Sequence, residues 1–262
     1  MEAPVAVAGH SVWRGTELAE SDWLVAADRP VAEVARRLWE GPGMAVVRGL
    51  ELAGLDDGAC LAAGRRYLGG LGAVRPEDAG RPGDGLVVAV AGQDPGGLDL
   101  HTDRAMHPGP PRLLGLLCVR PAASGGESVL VSGHAVHDAL LGTRPEVLPD
   151  LYRDFHFGDE PDLERRYPVF RRRGGRLDVQ YNRYWIGRGQ RERGQPLTAG
   201  QLAGLDAFEE VLADPGLALR VRLRRGDLLV LDNAAVLHGR TAFGDPPGAE
   251  AVGRCMARIW AD

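Results

Sequence analysis

Apolar residues along this chain fall into many short runs, and the spacing inside each run decides what it can form. Pro30 to Glu40 (PVAEVARRLWE) places apolar side chains at helical spacing, and Met44 to Val47 follows as a short buried strand. A second helix is expected from Asp56 to about Leu68 and a strand from Leu86 to Val90, after which Gly92 to Gly97 (GQDPGG) reads as a loop. Leu113 to Val119 is apolar on both faces, as an inner strand requires, and Glu127 to Val131 begins another strand after Ser124-Gly125-Gly126. Arg171 to Arg173, Gly174-Gly175 and Leu177 to Tyr181 predict a hairpin with a glycine turn. Thr198 and Gln201 have the spacing of a capping box, with Leu197 and Leu202 placed for a hydrophobic staple, so a helix should run to about Leu212. Strands are expected over Leu219 to Leu223, Asp227 to Leu231, Ala235 to His238 and Arg254 to Trp260. Short strands throughout, with helices in the first quarter and late middle, predict a mainly β sandwich or barrel with flanking helices outside it.

Composition narrows the field. The 262 residues, 44% of them hydrophobic, suffice for one domain spanning 1–262, with no repeat, linker or low-complexity tract to divide it. A net charge of −5 offers no basic field for nucleic acid or an anionic membrane surface. No apolar run approaches the ~20 residues of a membrane helix, and the first residues lack a targeting pattern, so a cytoplasmic location is expected. Cys60, Cys118 and Cys255 are too widely and irregularly spaced for a disulfide framework or zinc knuckle, and read as buried thiols. All 31 basic residues are arginine, which removes lysine Schiff-base and phosphate-loop chemistry together.

Candidate chemistry then concentrates in two places. His101-Thr102-Asp103 sets an imidazole and a carboxylate two residues apart, so that an extended segment projects both from one face. A third ligand is offered by His238, in Val236-Leu237-His238-Gly239-Arg240. Two imidazoles and one carboxylate on one face of an octahedron leave three positions open, the requirement of non-haem Fe(II) oxygen chemistry, with a bidentate 2-oxo acid taking two and dioxygen the third. A zinc hydrolase could use the same three ligands with an activated water, and a metal-free barrel that only binds a small molecule is the reading without catalysis.

The segments HTDRAMHPGPPRLLGLLCVRPAASGGESVLVSG (His101 to Gly133) and GDLLVLDNAAVLHGRTAF (Gly226 to Phe243), followed by RCMAR (Arg254 to Arg258), resemble the taurine dioxygenase superfamily. This is a family of Fe(II)/2-oxoglutarate oxygenases that also holds γ-butyrobetaine hydroxylase and clavaminate-synthase-like enzymes. The resemblance implies a double-stranded β-helix (jelly-roll) core, placed over residues 86–262 after a helical and strand part over 1–85, and composition suggests a lid around 158–196. It implies Fe(II) on His101, Asp103 and His238, with 2-oxoglutarate held by Arg254 and Ser128. Arginine suits that role because it offers two parallel donors to a carboxylate and keeps its charge. The implied reaction hydroxylates, desaturates or cyclises a small molecule with dioxygen, releasing succinate and CO2.

Around this frame, Arg258 is the candidate for the substrate's anionic group or a share of the 2-oxoglutarate carboxylate, with a rim ion pair as the plainer alternative. Tyr181 and Asn182, in the cluster Tyr181 to Trp185, fall where the resembled family contributes to the substrate pocket, with plain strand packing as the equal alternative. Gly187 to Gln195 (GRGQRERGQ) is basic and glycine-rich enough for a mobile lid. Asp232-Asn233 is placed to orient the second histidine's loop. His134 and His137 read as surface or capping groups at a helix start, and His107 as a rim side chain. Gly96 to Leu100 lacks the asparagine and aromatic residues of sulfonate-using relatives, which argues against taurine. The carboxylate present at 103 argues against halogenation.

Overall fold

The computed structural model describes residues 5–7, 9–76, 85–88, 96–107, 109–158, 165–244 and 253–262. Residues 92–95 of the expected glycine loop lie outside these.

The N-terminal part alternates short helices and strands: α1 (Glu20–Trp23), β1 (Leu24–Ala26), α2 (Val31–Trp39), β2 (Met44–Arg48) and α3 (Asp57–Leu68). In α2 the four-residue spacing of Val34 and Leu38 buries one face while Arg36 and Arg37 stay outward. Asp56 caps α3 by accepting from the Ala59 amide at 2.7 Å. Next come β3 (Gly85–Val88), β4 (Leu98–His101), β5 (Leu113–Arg120), β6 (Ser124–Gly125) and β7 (Ser128–Ser132). Two helices follow, α4 (Gly133–Thr143) and α5 (Leu148–Leu151), then the short β8 (Phe155–His156) and β9 (Arg166–Tyr167). The hairpin β10 (Phe170–Arg173) and β11 (Arg176–Val179) turns through Gly174 and Gly175, at φ 53° and 81°. Helices α6 (Arg183–Glu192) and α7 (Ala199–Leu212) lead into β12 (Leu219–Val221), β13 (Leu228–Asp232), β14 (Val236–Arg240), β15 (Phe243–Gly244) and β16 (Cys255–Ala261). Thr198 caps α7 in the predicted capping box, while Leu202 stays 45% exposed, so no staple is buried beneath it.

Two sheets face each other in the manner of a double-stranded β-helix. The larger runs β1-β2-β13-β5-β16-β3 and the smaller β12-β7-β14-β4. Alternation along each strand sorts side chains between layers. Met44, Val46, Leu114, Cys118, Leu229, Leu231, Met256 and Trp260 point inward to meet Leu130, Val221 and Val236 of the smaller sheet. On the outer face of the larger sheet, Leu117, Val119, Val230 and Ile259 are covered by Val34 and Leu38 of α2 and Cys60 and Leu68 of α3. On the outer face of the smaller sheet, Val131 and Leu237 pack with Leu140, Leu148, Leu151, Leu205 and Phe208. Each fully buried aliphatic side chain contributes roughly 1.5–3 kcal/mol, so these three apolar layers dominate the stability.

Two expectations need correction. The stretch from 187 to 195 is the second half of a helix and its exit, not a loose lid: Ile186, Gly189 and Gln190 of α6 are buried. The Gln190 side chain accepts from the His156 amide at 3.1 Å, fastening α6 to β8. His134 and His137 are buried in the first turns of α4, which Ser132 caps. For His134 the cause is the N-terminal segment, which crosses α4: Ser11 meets His134 Nδ1 at 2.8 Å and the Val7 amide donates to Asp138 at 2.9 Å, while His137 is enclosed by Tyr152 and Phe170. The three cysteines are free and buried, as expected. Among the described residues no helix is long and apolar enough to cross a membrane.

Candidate metal centre

Adjacent strands β4 and β14 pair so that His101 lies directly opposite His238, and their rings approach to 4.4 Å between centroids. Asp103, two residues beyond the end of β4, brings Oδ1 to 3.7 Å from His101 Nε2. One ligand atom from each of the three residues falls within 4.8 Å of the others, and all three residues are buried. No other such group of histidine, cysteine or acidic side chains forms among the described residues.

The surroundings orient this set. His101 Nδ1 donates to the Asp99 carbonyl at 2.8 Å, which places a proton on Nδ1 and turns Nε2 toward Asp103. Asn233 grips the turn after β4, accepting from the Asp103 amide at 2.7 Å and donating to the Asp103 carbonyl at 3.0 Å. It thus ties the turn before β14 to the first-histidine loop, while Asp232 accepts from the Ala234 amide at 3.1 Å within that turn and is held by Arg112 at 2.5 Å and Arg176 at 3.1 Å. The Thr102 amide donates to the Tyr181 carbonyl at 2.8 Å. Trp260 Nε1 donates to Asp103 Oδ2 at 2.6 Å.

Burial, and next the neighbouring His101, push the His238 imidazole down to about 3, so it is a neutral ligand with a free lone pair. Burial is the largest influence on the Asp103 carboxyl and alone would raise it, but the adjoining His101 and the charge of the Arg258 guanidinium hold the group below the usual carboxylate range. His238 Nδ1 is buried with no hydrogen-bond partner among the described residues. Two imidazoles, one of them with an unsatisfied nitrogen, beside an ionised carboxylate form a donor set that a divalent cation completes.

The remaining expected residues divide. Arg258 projects from the inner face of β16 with NH1 3.7 Å from Asp103 Oδ1. Arg254 stands apart from it, its guanidinium 5.3 Å from the centre of the Phe243 ring, which Arg240 also covers at 4.4 Å. Ser128 is buried at the start of β7, opposite Arg240 of β14. Tyr181 turns into the core instead of a pocket: its ring stacks on Phe208 at 4.3 Å and its hydroxyl donates to Glu209 at 3.1 Å. Burial, reinforced by Glu209, raises its phenol well above the ordinary value. Asn182 is occupied as the cap of α6, accepting from the Trp185 amide at 3.1 Å. Sequence reading missed Trp260, although its two-residue spacing from Arg258 on a strand is the signal that puts both on one face.

Residues 13–260 match the model of the taurine catabolism dioxygenase TauD, TfdA family. The chain belongs to this family. As a TauD/TfdA-family protein it is an Fe(II)- and 2-oxoglutarate-dependent dioxygenase, and the donor set above is the part of the chain that fits such an ion. FR-33289 synthase of Streptomyces rubellomurinus is 28% identical to this TauD/TfdA-family chain over 251 residues, 89% of this chain and 73% of that protein. A uridine-5'-phosphate dioxygenase of a Streptomyces species is 33% identical over 142 residues, 50% of each protein. Asparagine oxygenase, solved with Fe(II), 2S,3S-3-hydroxyasparagine and succinate, superposes with a TM-score of 0.65 at 21% identity, covering 88% of this chain and 77% of its own. The non-haem iron oxygenase OrfP with Fe and α-ketoglutaric acid gives a TM-score of 0.65 at 17% identity, covering 88% and 79%. Both share the fold of this TauD/TfdA-family chain.

Proposed function

We propose that this chain, one catalytic domain over 1–262, hydroxylates a C–H bond of a small carboxylate-bearing molecule such as an amino acid or a biosynthetic intermediate. The carrying observation is Arg258, a guanidinium 3.7 Å from Asp103 on the inner wall of the barrel, where it can meet an anionic group brought close to the metal. His101, Asp103 and His238 hold the ion, and Fe(II) bound there supplies dioxygen activation coupled to decarboxylation of 2-oxoglutarate. Arg254 and Ser128 take the distal carboxylate of 2-oxoglutarate, while Asn233 keeps the Asp103 turn in place. Buried walls around the set exclude bulk water, so charge pairs within it are strong. Tyr181 and Asn182 act through the scaffold, as their hydrogen bonds indicate. The free, buried cysteines favour a reducing, cytoplasmic setting.

The test is anaerobic addition of Fe(II) and 2-oxoglutarate, read as the weak visible charge-transfer band, followed by succinate release with candidate substrates in air. Amino acids and other carboxylates should stimulate succinate, and a product gaining one oxygen identifies hydroxylation, whereas loss of two hydrogens identifies desaturation or cyclisation. Stimulation by neutral apolar compounds alone would overturn the carboxylate reading. Stimulation by nucleoside monophosphates alone would move Arg258 to phosphate recognition, the direction in which the likeness to the uridine-5'-phosphate dioxygenase points.

A further inference from the structure

Asp103 is the one member of the donor set that no strand holds. His101 and His238 are fixed by direct pairing of β4 with β14, whereas Asp103 lies past the end of β4. The next residue, Arg104, turns the chain with a φ of 55°. Asn233 pins the Asp103 backbone on both its amide and its carbonyl, but that leaves the carboxylate free to turn about its own side-chain bonds.

What stops it is on the opposite sheet. Trp260 sits on the inner face of β16, paired with Leu114 of β5, and its carbonyl accepts from the Arg75 amide at 2.8 Å. The residue is only 6% exposed, and its ring carries the guanidinium groups of Arg104 at 4.5 Å and Arg258 at 5.0 Å. A buried indole N–H needs an acceptor, and here the acceptor is Asp103 Oδ2 at 2.6 Å, a charge-assisted bond. The other oxygen, Oδ1, is left facing His101 Nε2 and Arg258, each at 3.7 Å.

We infer that Trp260 is a positioning residue that commits one oxygen of Asp103 to the indole, so that the carboxylate presents a single oxygen to the metal. The inference rests on the metal-site reading above. Its chemical consequence concerns coordination number. A carboxylate with both oxygens free can chelate, and doing so would occupy one of the three positions that a 2-oxo acid and dioxygen require. Holding one oxygen back keeps those positions available. The tie also runs between sheets, since both imidazoles belong to the smaller sheet and the indole to the larger.

Trp260→Phe removes the N–H and keeps an aromatic ring. Replacement of Trp260 by 3-benzothienylalanine is the sharper variant, because sulfur takes the place of the N–H in a ring of the same shape. With either variant, 2-oxoglutarate affinity of the Fe(II)-loaded protein should fall roughly 10- to 100-fold and the visible band should shift, with little change in melting temperature for the isosteric benzothienyl variant and a lower one for the smaller phenylalanine. In the metal-free wild type, the Trp260 indole proton should stand downfield of those of the other four tryptophans, and Asp103→Ala should move it back. A benzothienyl variant with wild-type 2-oxoglutarate affinity and an unmoved band overturns the inference. A wild-type protein that gives no band at all instead removes the metal-site reading beneath it, and the indole shift still reports whether the hydrogen bond exists.

Discussion

An imidazole kept neutral by burial is a poor base for acid chemistry and a good ligand, and His238 is held in that state before any cation arrives. Replacing His101, Asp103 or His238 by alanine should therefore abolish Fe(II)-dependent succinate formation while leaving a cooperative thermal transition, since these side chains serve the ion more than the core. Near wild-type turnover in any one variant removes that residue from the set. The two candidate arginines stand beside different neighbours, Phe243 for Arg254 and Asp103 for Arg258, so their variants should separate. Arg254→Ala should raise the KM for 2-oxoglutarate at least tenfold, because truncating one partner of a buried charge pair costs about 2–5 kcal/mol. Arg258→Ala should weaken the prime substrate and spare uncoupled 2-oxoglutarate decarboxylation; equal loss of both activities would assign Arg258 to the co-substrate. The three candidate ligands could be named from the sequence because each carries its chemistry in its own side chain, and the fold brings them together. The roles of Trp260 and Asn233 were not legible there, because they depend on which atoms the fold brings to Asp103.

At the level of elements, α6 shows why pattern reading misled. Gly187 and Gly189 among arginines look like loop, yet Gly189 is there for close approach: a Cβ on it would lie 2.7 Å from the His156 carbonyl carbon and oxygen, and backbone cannot yield. A Cβ on Gly187 would meet only the end of the Arg191 side chain, at 3.4 Å, which can move aside. Gly189→Ala should accordingly lower the melting temperature, while Gly187→Ala should raise it slightly through helix propensity, worth up to about 1 kcal/mol. Two small increases would show that α6 is not docked on β8 in solution. The strands fared better, since an apolar run such as Leu113–Arg120 has the same meaning on either face of a covered sheet. The burial of His134 and His137 escaped the sequence for the opposite reason. It depends on contacts made in three dimensions: a segment more than a hundred residues earlier reaches His134, and Tyr152 and Phe170 enclose His137.

Across the whole molecule, these same histidines set a pH dependence. His134 contacts Ser11 and the Leu177 carbonyl, and His137 lies between Asp138 and the Tyr152 hydroxyl, each at 3.0 Å. Burial is the leading cause that lowers both below the ordinary 6.5, against the opposing pull of their hydrogen bonds. A folded value below the unfolded one means that the unfolded chain binds more protons as the pH falls through 6.5, so acidification favours unfolding. The melting temperature should be lower at about pH 5.5 than at about pH 7.5. Buried His238, held down to about 3, adds to the same trend, so a flat or reversed profile would show that these imidazoles are solvated in the folded protein.

One placement in the smaller sheet bears on motion. Strand β4 lies at its edge, with β14 as its neighbour, and yet it carries His101. An edge strand ordinarily frays, and its amides exchange with solvent long before those of a central strand such as β13. An ion shared between His101 and His238 would rivet that edge to the strand beside it. Amide deuterium uptake over Leu98 to Asp103 should slow when Fe(II) is added under argon, while uptake in β13 stays the same, making the edge of the sheet a clock for occupancy of the site.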